Sequence, residues 1–130
     1  MSADRVLIVD DMADSRLLFA LDLKAQGFDV LHAGDGAQAL KIAREQRPDL
    51  ILLDVMLPDI DGLDVCRRLR ADESTRLIPV AMFTVLNDKQ LRDESMAAGA
   101  DACLFKPVER RSLISNVRTL IEAGRLRAAG

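Results

Sequence analysis

Apolar residues along the chain are concentrated in five short runs, and each run is followed by a longer segment in which they recur at helical spacing. The most apolar run, residues 50–53, lies between Pro48-Asp49 and Asp54. An unbroken aliphatic run of this kind predicts a strand that is buried on both faces of a parallel sheet. The other predicted strands are residues 5–9, 28–32, 78–83 and 102–105, and the alternating pattern of 28–32 predicts a more exposed strand.

The segments after the strands predict five amphipathic helices. The first should begin near Asp14 or Ser15 as its cap and end at Gly27. Its apolar face would consist of Leu17, Leu18, Leu21 and Ala25. The second helix is expected over residues 37–46 and the third from Gly62. Their apolar positions are Ala39, Leu40 and Ala43, and Leu63, Cys66 and Leu69.

The fourth helix should begin after an Asn87 or Asp88 cap and run to about residue 98. Its large apolar residues are only Leu91 and Met96, so we expect it to be weakly held and able to shift. The last helix follows Pro107, with an apolar face of Leu113, Val117, Leu120 and Ile121.

This alternation of strands and helices predicts an α/β protein, a single-domain doubly wound five-stranded parallel sheet with helices on both faces. The length of 130 residues suits one domain with one core. We assign residues 1–124 to that domain, and residues 125–130 to a C-terminal tail or the start of a linker.

Charge and composition exclude several classes of protein. The formal net charge is −3, with 18 basic and 21 acidic residues, which argues against direct nucleic-acid binding. Two cysteines, Cys66 and Cys103, lack the spacing of a metal site and are expected to be unpaired thiols in a reducing compartment. Because neither a signal peptide nor a membrane-spanning apolar run is evident, we expect a cytoplasmic location.

Polar residues stand at the carboxyl ends of the predicted buried strands, where open α/β sheets place their ligands. They are Asp10, Asp11, Asp54, Thr84 and Lys106. Carboxylates that converge on one edge repel one another unless a cation is present, and hard oxygen ligands favour Mg²⁺. Lysine offers a charge to an anion and threonine a hydroxyl donor. The combination predicts a phosphoryl site with Asp54 as the carboxylate nucleophile.

Each of these residues alone has an ordinary structural explanation. Asp10 and Asp11 could cap a helix, and Lys106 could be a solvated surface residue. What favours a phosphoryl site is that all of these residues stand at the carboxyl ends of predicted strands. By contrast, Asp59 and Asp61 are expected to form turns, and His32 is expected at the surface.

One motif supports a different function. The segment Gly34-Asp35-Gly36-Ala37-Gln38-Ala39 fits the dinucleotide-binding pattern, and Asp54 follows Gly34 by 20 residues. However, the preceding strand is the polar one, and no second nucleotide-binding half follows. A nucleotide-dependent oxidoreductase therefore remains a minor alternative, with turn formation as the simpler explanation of the glycines.

The motifs together resemble the receiver domain of the two-component response regulator family (CheY-like). The resemblance covers residues 5 to about 120. It rests on Val9-Asp10-Asp11, Leu53-Asp54-Val55-Met56-Leu57-Pro58, Asp61-Gly62, Thr84, Gly99-Ala100-Asp101 and Lys106-Pro107. It implies a flavodoxin-like sheet with strand order 2-1-3-4-5.

The resemblance also implies roles for individual residues. Asp11, Asp54 and the backbone carbonyl of Met56 would bind Mg²⁺ directly, and Asp10 would act mainly through a bound water. Asp54 would accept a phosphoryl group from a phosphohistidine of a sensor histidine kinase or a histidine phosphotransfer protein. Lys106 would pair with the phosphoryl oxygen, and Thr84 would move toward it. A cis Lys106-Pro107 bond is also implied.

By the same resemblance, the domain would be a signalling module and not an enzyme with a separate substrate. The surface around the fourth helix and fifth strand would change on phosphorylation and control a downstream effector or a homodimer.

Two positions depart from the family pattern. Cys103 stands where the family usually has Tyr or Phe, its second switch residue, and Phe105 on the same strand face could substitute for it. Val85 stands where Ala or Gly is favoured and could narrow access to Asp54. These departures motivate a second hypothesis, a pseudo-receiver that acts as an interaction or dimerisation domain without phosphorylation.

Overall fold

The protein forms one parallel sheet between two layers of helices. The structure, a computed structural model, describes residues 3–130. Its strands are β1 (Arg5–Val9), β2 (Asp29–Ala33), β3 (Leu50–Leu53), β4 (Val80–Thr84) and β5 (Ala102–Phe105). Its helices are α1 (Ala13–Ala25), α2 (Gly36–Gln46), α3 (Gly62–Ala71), α4 (Lys89–Ala97) and α5 (Arg110–Ala129).

The strand order is β2-β1-β3-β4-β5, and every pairing is parallel. This architecture confirms the predicted fold class and strand order. β3 lies in the centre, and all four of its residues are fully buried. All carboxyl ends of the strands therefore meet at one edge of the sheet, which is where the candidate polar residues lie.

The apolar core has one layer on each face of the sheet. Side chains of α2 and α3, such as Leu40 and Cys66, pack against one face, and side chains of α1 and α5, such as Leu23 and Val117, pack against the other. Successive strand residues point to opposite faces. Leu53 accordingly belongs to the first layer and Leu52 to the second.

Helix α1 differs from the sequence prediction. It begins at Ala13 after Met12, with no side-chain cap, so the assignment of Asp14 or Ser15 as the cap was wrong. Its expected apolar face is largely exposed, because Leu17, Leu18 and Leu21 are 55%, 61% and 66% accessible. The buried positions of the helix are Ala20 and Leu23. The apolar spacing alone could not tell which side of the helix faces the sheet.

The remaining helices follow the predicted pattern closely. Helix α2 is capped by Asp35 and α4 by Asp88, and the expected apolar positions of α2 and α3 are buried. Within α4 only Ser95 is buried, and Met96 is 53% exposed, which fits a weakly held helix.

Helix α5 continues as far as Ala129, and its Gly124 packs against Pro79. The domain boundary after residue 124 stays a prediction. Among residues 3–130, none of the helices has the length and apolar character needed to cross a membrane.

Candidate functional site

The carboxyl edge of the sheet brings four predicted site residues into adjacent positions. Asp10 follows β1, Asp54 follows β3, Thr84 ends β4 and Lys106 follows β5. Backbone hydrogen bonds continue the sheet through these positions. The Asp54 amide donates to the Val9 carbonyl at 3.0 Å, and the Lys106 amide donates to the Thr84 carbonyl at 2.8 Å. The side chains therefore share one rigid edge.

The ammonium group of Lys106 lies between two carboxylates. Its Nζ is 2.6 Å from Oδ2 of Asp10 and 3.4 Å from Oδ2 of Asp54. All three side chains are well shielded, with exposed fractions of 12% for Lys106, 4% for Asp10 and 13% for Asp54. Because such shielding strengthens electrostatic interactions, this lysine holds the two carboxylates close together.

Asp10 is the most buried acid of the site, with only 3% of its surface exposed. Burial alone would raise its pKa, but hydrogen bonds from Lys106 and from the Met12 amide, at 3.0 Å, outweigh that effect. The pKa of Asp10 is consequently lower than usual, and the carboxylate stays ionised. Its expected action through a bound water stays a prediction.

The oxygen atoms near this lysine form a donor set of the kind that Mg²⁺ prefers. The second carboxylate oxygen of Asp54 accepts the Met56 amide at 3.2 Å, and Asp11, which follows Asp10 in the chain, is exposed. Within the described range 3–130, no three His, Cys, Asp or Glu side chains are already gathered around a common ion position. Lys106 contacts both Asp10 and Asp54, and its single positive charge offsets one of their two negative charges. The residues fit the ion by their chemistry.

The loop after β3 depends on a glycine at its end. The Gly62 amide donates to the Val55 carbonyl at 2.8 Å, and a Cβ atom at this position would lie 2.2 Å from the Asp54 carbonyl oxygen. No side chain can be accommodated without moving the backbone of Asp54. Asp61 accepts the Leu63 amide at 2.8 Å and caps α3, which explains the Asp-Gly pair in the motif.

Asp59 has a role that the sequence analysis missed. Its two carboxylate oxygens accept the amides of Gly36 and Ala37, at 2.8 Å and 2.9 Å, in the first turn of α2. These two hydrogen bonds hold the pKa of Asp59 below its usual value. The local sequence around Asp59 predicts only a turn, because its partners are 22 and 23 residues away in the first turn of α2.

The candidate switch residues occupy different environments. Thr84 is buried, with 1% exposure, and its hydroxyl accepts the Leu86 amide at 3.3 Å. Cys103 is partly buried against the core layer formed with α2 and α3. Phe105 lies beneath the Arg92 guanidinium, 5.9 Å from it. Val85 is 60% exposed next to Thr84.

The glycine motif before α2 does not leave an open phosphate site. The Asp35 carboxylate accepts the Gln38 amide at 2.7 Å, and the preceding two amides donate to Asp59. A dinucleotide pyrophosphate requires those helix N-terminal amides. Since carboxylates already occupy them, the structure argues against the oxidoreductase alternative.

Comparisons with known proteins place the chain in a family. The model of the response regulator receiver domain family matches residues 6–118. The chain is 43% identical over 114 residues to the DNA-binding response regulator MtrA of Mycobacterium tuberculosis, covering 88% of this chain and 49% of that protein. The chain thus spans about half the length of this curated relative.

Solved structures agree with the sequence match. The crystal structure of a protein described as a putative response regulator from Chloroflexus aurantiacus superposes with a TM-score of 0.89 at 32% identity, covering 93% of this chain and 99% of the other. The receiver domain of a sensor histidine kinase from Pseudomonas aeruginosa was solved with magnesium in its active-site cleft. It superposes with a TM-score of 0.86 at 30% identity, covering 93% of this chain and 99% of that chain. With its sheet order and edge residues, this chain belongs to the response regulator receiver domain family.

Proposed function

We propose that the domain accepts a phosphoryl group on Asp54 from a phosphohistidine. A carboxylate oxygen of Asp54 would attack phosphorus, and the bond from phosphorus to the imidazole nitrogen would break with its electron pair remaining on nitrogen. The observation that carries this proposal is the position of the Lys106 ammonium beside both Asp54 and Asp10. A fixed positive charge there neutralises the phosphoryl oxygens during transfer.

Magnesium is the cofactor that the donor chemistry supports. Asp11, Asp54 and the Met56 carbonyl would hold it directly, with Asp10 acting through water. When bound, the ion would neutralise charge on the transferring group and help to keep the reacting oxygens in line. The Pseudomonas receiver with magnesium in its cleft supports this assignment by similarity.

The proposed response is a shift between two conformations. Thr84 and Lys106 would interact with the phosphoryl oxygens, and the segment from Val85 into α4 would adjust. α4 suits such a role because Ser95 is its only buried residue. A downstream effector or a second copy of the domain would recognise the altered surface around α4 and β5.

As a signalling module without a separate substrate, the domain would promote only its own phosphorylation and dephosphorylation. Its phosphodonor would be a sensor histidine kinase or a histidine phosphotransfer protein, and exchange with such a donor would take place in the cytoplasm. We propose no direct nucleic-acid contact for this domain, because its net charge is −3.

An amide NMR titration tests this function. Adding Mg²⁺ and a beryllium fluoride phosphoryl mimic to the wild-type chain should shift resonances near Asp54, Thr84 and Lys106, and then along α4. Asp54→Asn is the control and should abolish the response to beryllium fluoride. No Mg²⁺-dependent change near Asp54 in the wild type would contradict the proposal.

The second candidate is a pseudo-receiver that works without phosphorylation, and Cys103 is the observation that favours it. A small thiol replaces the aromatic ring that the family usually uses as its second switch residue. Under this alternative, phosphorylation would leave α4 resonances unchanged, and any self-association would be the same before and after treatment. Measuring the association state with and without beryllium fluoride separates the two functions.

A further inference from the structure

We propose that Asp59 is a positioning residue, which links the phosphoacceptor loop (residues 54–61) to the first turn of α2 and so supports magnesium binding by Asp54 and Met56. The inference rests on the proposed function. It concerns a residue outside the reacting groups, since Asp59 itself touches neither Lys106 nor Asp54.

The link consists of two hydrogen bonds between the phosphoacceptor loop and the first turn of α2. One oxygen of Asp59 accepts the Gly36 amide at 2.8 Å, and the other accepts the Ala37 amide at 2.9 Å. A carboxylate is the favoured acceptor at a helix N-terminus, because the amides there lack partners within the helix and carry partial positive charge. Using both oxygens also restricts the orientation of the carboxylate.

The start of α2 is also in close contact with the phosphoacceptor loop and with α3. A Cβ atom at Gly36 would lie 2.9 Å from Cγ2 of Val65, 3.1 Å from Cβ of Ile60 and 3.3 Å from Oδ1 of Asp59. Glycine therefore permits the phosphoacceptor loop to lie directly against the start of α2. A change in the position of one element must displace the other.

Besides Asp59, packing holds the middle of the phosphoacceptor loop, because Leu57 and Ile60 are partly buried against the core layer formed with α2 and α3. The ends of the loop are fixed by the bond from Asp54 to β1 and by the bond from Gly62 to Val55. Among loop residues 56–60 of the described chain, only Asp59 has hydrogen bonds to another helix or strand, and it accepts both of them. Met56 is 54% exposed, so packing restrains it only weakly. The position of its carbonyl depends on the path of the loop, which the two hydrogen bonds of Asp59 fix together with the packing of Leu57 and Ile60.

Asp35 provides a matched control. Its carboxylate caps the same helix through the Gln38 amide at 2.7 Å, but it belongs to the connection between β2 and α2. Asp35→Ala and Asp59→Ala each remove one negative charge and one cap of α2. Only the second substitution releases the phosphoacceptor loop.

The test is the Mg²⁺ dissociation constant, measured by amide NMR titration of the wild type, Asp59→Ala, Asp59→Asn and Asp35→Ala. We expect Asp59→Ala to raise the constant about tenfold, the usual scale for losing an outer support of a metal ligand. Asp59→Asn retains one acceptor and should have an intermediate value. Asp35→Ala removes one hydrogen bond to α2 where Asp59→Ala removes two, so its thermal midpoint should fall as well, but its Mg²⁺ dissociation constant should remain close to the wild-type value.

Equal dissociation constants for Asp59→Ala and Asp35→Ala would overturn the inference and leave the proposed function intact. Failure of the wild type to bind Mg²⁺ would overturn both. If Asp59→Ala does not fold, the comparison of Asp59→Asn with Asp35→Asn decides in the same way.

Discussion

Lys106 illustrates how single side chains create the site. Its ammonium contacts Asp10 at 2.6 Å and Asp54 at 3.4 Å, and it also lies 5.0 Å from the centre of the Phe83 ring. Removing one member of such a shielded pair leaves the other charge without compensation, which commonly costs about 3–5 kcal/mol. The lysine is therefore both a structural partner of Asp10 and the proposed ligand of the phosphoryl group.

The branched side chain of Val85 leads to a prediction about donor access. Val85 is exposed immediately after Thr84, which ends β4 at the same edge of the sheet as Asp54. We expect Val85→Ala to accept phosphoryl groups from acetyl phosphate roughly twofold to tenfold faster, which is up to about 1.4 kcal/mol in the barrier. Rapid-quench time courses read by intact mass measure the rates. Val85→Ile keeps the branch and serves as control, and equal rates for Val85→Ala and wild type would refute the access argument.

His32, the only histidine, leads to a pH prediction. Partial burial, together with the charges of Arg16 and Lys24, lowers its pKa in the folded protein. The unfolded chain binds this proton more readily, so the stabilisation is complete above about pH 6.5 and is lost as pH falls through the folded pKa.

We therefore expect the free energy of unfolding to fall between about pH 7.5 and about pH 5.5, and His32→Gln to reduce that slope. Urea denaturation at each pH measures the free energy of unfolding. The ring resonances of His32 should titrate below about pH 6.5. An unchanged slope in the variant would assign the pH dependence to other groups.

At the scale of elements, Asp101 connects three parts of the fold just before β5, at the opposite end of that strand from Lys106. Its carboxylate accepts hydrogen bonds from Arg70 at the end of α3, from Arg127 near the end of α5 and from the Val80 amide at the start of β4, at 2.7, 2.7 and 2.9 Å. Arg70 also donates to the Gly99 carbonyl at 2.9 Å. These bonds hold the connection that follows α4, whereas the start of α4 lies near Thr84.

Removing this carboxylate should be costly. We expect Asp101→Ala to lower the free energy of unfolding by about 2–3 kcal/mol, because hydrogen bonds to charged groups are lost and two arginines lose their partner. The control is Asp64→Ala, which removes an exposed pair with Arg67 at 2.5 Å and should cost less than about 1 kcal/mol. Urea denaturation followed by far-ultraviolet circular dichroism compares them, and similar losses would show that the Asp101 bridge adds no stability.

At the scale of the whole molecule, the central strand joins the two core layers. Leu52 and Leu53 are both 0% exposed and point to opposite faces of the sheet. Stability should therefore be shared between the layers. Loosening one layer should destabilise the entire domain, because β3 belongs to both.

We predict that Leu52→Ala and Leu53→Ala each lower the free energy of unfolding by about 2–5 kcal/mol, through lost burial and a residual cavity. Leu126→Ala, at a residue 67% exposed on α5, should change it by less than about 0.5 kcal/mol. Circular dichroism and NMR should report one unfolding midpoint for each variant. Two separate transitions would disprove cooperative coupling of the layers.

The sequence by itself determined the order of strands and helices, the buried character of β3 and the alignment of Asp10, Asp54, Thr84 and Lys106 at strand ends. These features are local: apolar runs of strand length predict buried strands, and the residue after each run must lie at the sheet edge. The resemblance added the strand order, and the structure confirms it.

Only the tertiary structure decided which side of α1 is buried, that Lys106 contacts Asp10 more closely than Asp54, and that Asp59 binds the start of α2. Each of these depends on contacts between residues far apart in the chain, 96 positions in the case of Lys106 and Asp10. Helical periodicity defines an apolar side of α1 but not which side of the helix faces the sheet. Likewise, the sequence of the loop around Asp59 cannot specify which helix amides will face that carboxylate. Packing of the whole chain sets those positions.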